Sequence, residues 1–132
     1  MRVLVTGGGG FLGLYLTEQL VARGDHVRCL CRGSYQELTS LGVETIQGDI
    51  RDAQRVVTAT EGCDIVFHTA GVAGIWGPKK TFFEINTVGT QNIIEACWKN
   101  QVPRLVYTSS PSVTFDGTDQ NGVDESVPYP SQ

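Results

Sequence analysis

Apolar residues in this chain fall in short runs separated by stretches with helical spacing. Val3-Leu4-Val5, His26 to Cys31, Val43 to Gln47, Asp64 to His68 and Pro103 to Thr108 are rich in Val, Ile, Leu and Cys, which predicts five strands. Residues 11–23 place Leu12, Leu16, Leu20 and Val21 at helical spacing, with Gly24 as a stop signal. Residues 34–41 predict a short helix closed by Gly42, and Asp52 is placed to cap a helix over 53–60. A longer helix is predicted from Lys80 to Asn100. Its apolar positions, among them Phe82, Phe83, Ile85, Val88, Ile93, Cys97 and Trp98, cover a wide arc, so more than one face is expected to be buried. Beyond Val113 the chain turns polar and rich in Gly, Asp and Pro, which predicts a loop.

The alternation of strands and helices, with no repeat or linker, predicts one α/β domain over residues 1–132, built as a doubly wound parallel sheet. Right-handed crossovers then imply the strand order 3-2-1-4-5 of a Rossmann half. The first strand-to-helix turn, TGGGGFLG at 6–13, holds five of the sixteen glycines, although glycine opposes the helix that follows. Gly7, Gly10 and Gly13 form a Gly-x-x-Gly-x-x-Gly pattern between a strand and a helix, the context that marks a dinucleotide site. There the first glycine permits the tight turn, Gly10 lets a pyrophosphate approach the backbone, and Gly13 lets the helix pack on the sheet. The helix start at Phe11 and Leu12 would offer free N–H groups and a positive dipole end to the anion. After strand two an NAD-preferring site usually carries Asp or Glu for the ribose hydroxyls. This chain has Cys31-Arg32-Gly33-Ser34 instead. Arg32 has the planar fork to pair with a 2′-phosphate, so NADP is expected over NAD, with NAD still possible. The plain alternative for Arg32 is a solvated surface residue.

Composition narrows the partners. The 132 residues carry a formal net charge of −4 with no basic cluster, which argues against nucleic acid. No apolar run approaches the roughly 20 residues needed to span a bilayer, and Met1 leads straight into a strand. Neither a membrane segment nor a signal peptide is therefore expected. Cys29, Cys31, Cys63 and Cys97 form no Cys-x-x-Cys pair and read as reduced, buried thiols of a cytoplasmic protein. His26 and His68 lie far apart with no ligand-spaced neighbours, so no metal site is expected.

Five stretches together resemble, in order, the motifs of the extended short-chain dehydrogenases/reductases. Residues 6–13 are similar to the cofactor turn of that family. Gly48-Asp49-Ile50-Arg51-Asp52 resembles its adenine-contacting turn, which implies that Asp49 hydrogen-bonds the base and Ile50 covers it. His68-Thr69-Ala70-Gly71 resembles the His-x-Ala-Ala/Gly segment beside the cofactor. Asn86 to Asn92 resembles the Asn-x-x-Gly-Thr-x-Asn helix, in which Asn86 would hold backbone or cofactor groups. Val106 to Val113 resembles the strand bearing the active-site serine, which the match sets at Ser110. AGIWG at 73–77, YTSSPSVTFDG at 107–117 and DESVPYP at 124–130 resemble the hydroxysteroid and sterol-carboxylate dehydrogenase branch. Bacterial reductases of long-chain β-keto acids and plant-type dihydroflavonol reductases are its near relatives.

This resemblance implies hydride transfer between a nicotinamide and a bulky hydroxy or keto substrate, steroid-like or a long β-keto acid. Ser110 would orient the substrate oxygen, and a Tyr-x-x-x-Lys helix would supply the acid and base. That pair does not occur here. Tyr15, Tyr35 and Tyr107 are followed four positions on by Gln19, Thr39 and Pro111, and no lysine follows Lys99. The chain is therefore expected to be the amino-terminal half of a longer enzyme, binding cofactor without turnover. The family's dimers pack on two long helices, and helix 80–100 would be one of them, so a homodimer is expected of the full-length enzyme. Two other readings stay open: a sugar-nucleotide epimerase or dehydratase, which typically carries an acid after strand two, and a non-catalytic dinucleotide sensor. His68 is expected to be a packed strand-end residue, and Trp76 either lines a substrate pocket or caps the core.

Overall fold

A computed structural model describes residues 1–74 and 76–130. Ile75, inside the 73–77 stretch, and residues 131–132 lie outside the described residues. Five strands, β1 (Arg2–Thr6), β2 (His26–Cys31), β3 (Glu44–Gln47), β4 (Ile65–His68) and β5 (Leu105–Tyr107), form one sheet in the order β3-β2-β1-β4-β5. All four pairings are parallel, and Thr6 at the end of β1 stands beside Leu30 and His68. The doubly wound topology is the predicted one. Strand ends differ by a residue or two. β5 begins at Leu105 and not at Pro103.

Helices α1 (Phe11–Ala22), α2 (Gln36–Ser40), α3 (Ala53–Thr60), α4 (Lys79–Phe82) and α5 (Thr90–Lys99) cover the sheet on both faces. Side-chain alternation along β1 divides the core. Val3 and Val5 join Leu20 of α1 and Leu38 of α2, whereas Leu4 joins Val56 of α3 and Ile93 of α5. Burial on both faces is why β1 reads as an unbroken apolar run. Each such side chain contributes roughly 1.5–3 kcal/mol by leaving water. Asp52 caps α3 as expected, its carboxylate accepting from the N–H groups of Gln54 and Arg55. All four cysteines are free and buried.

One expectation needs correction, and another gains a detail. Leu12 does not join the buried stripe of α1: it is 47% exposed, and the first buried position of the helix is Gly13, which packs on the Gly7 turn. The helix predicted over 80–100 is found as one continuous run from Lys79 to Lys99, in which α4 and α5 are joined by a π-helical stretch, Phe83–Gly89, with helical backbone angles at both joins. Tertiary contacts accompany the π-helical stretch. Asn86 is fastened to Val72, and Gly89 leaves room for Ile50, whose side chain a Cβ would meet at 2.6 Å. Of the wide apolar arc, Ile85, Ile93 and Cys97 are buried, while Phe83 and Trp98 are exposed. After β5 a short 3-10 turn spans Pro111–Thr114, and no regular element follows it among the described residues. None of the described helices is long and apolar enough to cross a membrane.

Candidate functional site

The strands end together at one edge of the sheet, where open α/β sheets bind ligands. Gly7 makes the turn there with φ +74°, and its missing Cβ would stand 3.0 Å from the Ala70 backbone. A Cβ at Gly13 would collide with the Gly7 carbonyl, so α1 packs on the turn only through glycine. Gly8 and Gly9 are also set by neighbours, the Cys29 sulfur and the Tyr35 ring. Gly10 is different. Its backbone is extended (φ −87°, ψ 169°), and a Cβ there would meet one atom, the Gly7 oxygen at 3.3 Å. The protein makes only that mild demand, so the absent side chain leaves room for something outside the chain.

α1 begins at this point without a side-chain cap among the described residues. The Gly10 N–H turns back to the Gly7 carbonyl at 2.9 Å. The N–H groups of Phe11, Leu12 and Gly13 have no partner within the helix, and the dipole end makes them a seat for an anion. The Phe11 side chain is 98% exposed, so its part in that seat is played by the backbone.

The structure brings Gly7, Gly10, Arg32, Asp49, Ile50, Ala70 and Gly71 into the lining of one cavity of about 190 Å³. A second hollow of about 590 Å³ contains Asn86 and Ser110, and both include Thr69 to Val72. The first alone is small for a ligand pocket, where 300–1,000 Å³ is usual. Joined through Thr69–Val72, the two make a groove suited to an elongated ligand. Phe11, Leu12 and Gly13 line neither cavity and reach the groove only as the start of α1.

At one end Asp49 is held by Arg51. The guanidinium donates to both carboxylate oxygens at 3.0 and 2.8 Å, and the Arg51 N–H adds a third bond at 2.9 Å. These bonds, with a smaller pull from Arg32, hold the Asp49 carboxyl below the usual range. Asp49 is thus a fixed, ionised acceptor. Ile50 is only 6% exposed and presents little more than an edge to the cavity. Arg32 is exposed, with its carbonyl anchored by the Gln47 amide at 3.1 Å. Tyr35, which the motif reading missed, lines the same cavity with its ring against Gly9 and Gly33. The signal was available in Gly9, a glycine that the three-glycine spacing does not explain.

At the other end Ser110 Oγ lies 2.7 Å from Ser112 Oγ and accepts from the Ser112 N–H at 3.3 Å. It caps the 3-10 turn while facing the second hollow. The Asn86 side chain accepts from the Val72 N–H at 2.8 Å and donates to the Val72 carbonyl at 2.9 Å, so it holds backbone. Trp76 is 88% exposed and caps no core. His68 is 1% exposed and stacked on Tyr107 at 5.4 Å. Burial pushes its pKa down to about 4, which keeps the ring neutral at physiological pH.

The fold is a doubly wound α/β domain of the Rossmann type, with the groove at the carboxyl ends of its strands. More narrowly, the chain belongs to the 3-beta hydroxysteroid dehydrogenase/isomerase family, whose sequence model matches residues 4–132. It is 48% identical over 131 residues to the 2-alkyl-3-oxoalkanoate reductase of Shewanella oneidensis, covering 99% of this chain and 34% of that protein. It is 39% identical over 135 residues to the 3 beta-hydroxysteroid dehydrogenase/Delta 5-->4-isomerase of Mycobacterium tuberculosis, covering 97% of this chain and 36% of that protein. Among solved structures, the UDP-glucose 4-epimerase of Thermus thermophilus in complex with NAD matches with a TM-score of 0.85 at 31% identity. That match covers 98% of this chain and 44% of the other. The chain spans about a third of the length of the curated relatives it matches. The motif resemblance to the extended short-chain dehydrogenases, and to their hydroxysteroid branch, is borne out.

Proposed function

We propose that the groove binds a nicotinamide dinucleotide, NADP in preference to NAD, and that the protein transfers hydride between it and a bulky hydroxy or keto compound. The observation that carries this reading is the cradle at Gly10, a position open toward the groove beside an uncapped helix N-terminus. When bound, the dinucleotide supplies the carbon that gives or takes hydride. The chain's own residues bind and orient. The N–H groups of Phe11 and Leu12 hold the pyrophosphate. Asp49, clamped by Arg51, accepts from the amino group of the base, with the edge of Ile50 as an apolar floor. Arg32 takes the 2′-phosphate through its fork. Ala70 and Gly71 flank the dinucleotide where the two hollows meet, and Asn86 secures that segment through Val72.

Ser110 lies at the far end and orients the substrate oxygen by hydrogen bonding. No Gly-x-Ser-x-Gly elbow surrounds it, so it is no nucleophile. The relatives' names point to the substrate class. A 2-alkyl-3-oxoalkanoate, a 3-hydroxysteroid and a sterol-4-carboxylate each carry the reacting oxygen at carbon 3 of a bulky apolar body. The epimerase reading draws on the solved-structure match, and the absence of an acid after β2 counts against it. Exposed Phe83 and Trp98 support a homodimer of the full-length enzyme on the α4–α5 side, and the buried thiols suit a reducing cytoplasm.

Proton transfer to the substrate is assigned to a Tyr-x-x-x-Lys pair, which these 132 residues do not contain. The chain should therefore bind NADP without turning over. The test is to incubate the 132-residue chain with NADPH and a 2-alkyl-3-oxoalkanoate or a 3-oxosteroid, following absorbance, and to titrate NADP separately. Binding without NADPH consumption is expected. Consumption that disappears in Ser110→Ala would contradict the assigned need for the pair.

A further inference from the structure

We infer that His68 is a positioning residue for the nicotinamide half of the groove, acting through the hydroxyls of Thr6 and Thr90 on the Thr69–Val72 segment. This rests on the dinucleotide reading and goes beyond it, since packing alone was expected of His68.

The hydrogen-bond directions follow from the partners. The Thr90 hydroxyl gives its one proton to the Asn86 carbonyl at 2.8 Å. Toward His68 Nε2, 3.0 Å away, that oxygen can only accept, so Nε2 carries the ring proton. Nδ1 is then the acceptor and takes the Thr6 hydroxyl proton at 2.7 Å. The Thr6 oxygen is left to accept from the Ala70 N–H at 3.2 Å. One chain of bonds runs from the Ala70 N–H through Thr6, His68 and Thr90 to the Asn86 carbonyl. The Asn86 amide closes it on both backbone groups of Val72, at 2.8 and 2.9 Å. The Thr69 hydroxyl adds a bond to the Thr6 carbonyl at 2.7 Å.

The backbone of residues 70–72 is thus tied at both ends to one imidazole. An apolar side chain could fill the same space but could meet neither hydroxyl, and a buried network works only when each member is satisfied. The segment so held is the one that both cavities share, where a ligand passes from the dinucleotide end toward Ser110. Arg32 and Asp49 stand at the opposite end, on the loops after β2 and β3. His68 should therefore govern the nicotinamide half and spare the adenosine half.

The test compares NADP with 2′,5′-ADP, which lacks the nicotinamide half, by calorimetry, with NAD and AMP run in parallel. His68→Phe keeps a flat ring against Tyr107 but bonds neither hydroxyl. Thr90→Val is close to isosteric at a half-buried position and removes one link. Each should weaken NADP about tenfold, leave 2′,5′-ADP within about twofold, and speed hydrogen exchange at the Ala70 and Val72 amides. His68→Gln, which can still donate to Thr90, should recover part of the loss. Equal losses for both ligands would mean a general loss of fold, and an unchanged NADP affinity would mean no positioning role. Either result overturns the inference. If His68→Phe does not fold, Thr90→Val decides. A parent chain that binds neither dinucleotide overturns the dinucleotide reading, and this inference with it.

Discussion

Acidification should weaken this fold through His68 before most carboxylates titrate. The ring is 1% exposed, and burial lowers its pKa from 6.5 to about 4. In the unfolded chain it takes up a proton near pH 6.5. Because the folded value is the lower one, the unfolded state binds more protons between about pH 6.5 and pH 4. The stability linked to the neutral ring is complete above that window and is lost as pH falls through it. At about 1.4 kcal/mol per pH unit the whole window is worth at most about 3 kcal/mol, and about 2 kcal/mol is gone by pH 5. Protonation would also take away the acceptor at Nδ1 that the Thr6 hydroxyl uses. Urea unfolding followed by far-UV circular dichroism at pH 7.5, 6 and 5 reads the effect. The parent should lose about 2 kcal/mol across that range. His68→Phe should start lower at pH 7.5 and lack this component. A parallel decline in both proteins, or no decline in the parent, would refute the picture of a buried neutral imidazole.

Two substitutions probe other parts of the groove. Arg32→Ala should weaken NADP by about 1.5–3 kcal/mol, the worth of a charged hydrogen bond, and leave NAD nearly unchanged in calorimetric titration. A parallel loss would mean that Arg32 supports its loop or stacks on the base. Gly13→Ala drives a methyl group into the Gly7 carbonyl and should cost about 1–3 kcal/mol in chemical unfolding, as overpacking does. An unchanged midpoint would contradict the close packing of α1 on the turn.

The strand order is legible in the sequence because two-sided burial turns β1, β2 and β4 into short apolar runs with helical patterns between them. The three spaced glycines are legible for a similar reason: the turn, the ligand approach and the helix packing are all local demands. What escapes the sequence is set by partners distant along the chain. Gly8 and Gly9 are needed because Cys29 and Tyr35 pack against them, and spacing alone cannot name those neighbours. The π-helical stretch is hidden because its local pattern suits an ordinary continuous helix, while the contacts of Asn86 with Val72 and of Gly89 with Ile50 lie far along the chain. Likewise nothing beside His68 in sequence shows that its two nitrogens meet Thr6, 62 residues away, and Thr90, 22 residues away. The Arg51 clamp on Asp49 is local, but residue types alone do not show that this arginine turns back on the carboxylate two positions before it.

The central claim is that the turn at Gly10 seats the pyrophosphate of a nicotinamide dinucleotide, and calorimetric titration of the parent and Gly10→Val tests it most directly. The extended backbone at Gly10 is one that valine adopts, and a Cβ there meets a single protein atom, the Gly7 oxygen at 3.3 Å, which has to give by a few tenths of an ångström. The fold should therefore survive, with an unfolding midpoint close to that of the parent. The parent should bind NADP with one site per chain, more tightly than NAD, and Gly10→Val should bind neither. Equal affinity in the folded variant and the parent would place the dinucleotide elsewhere and contradict the account.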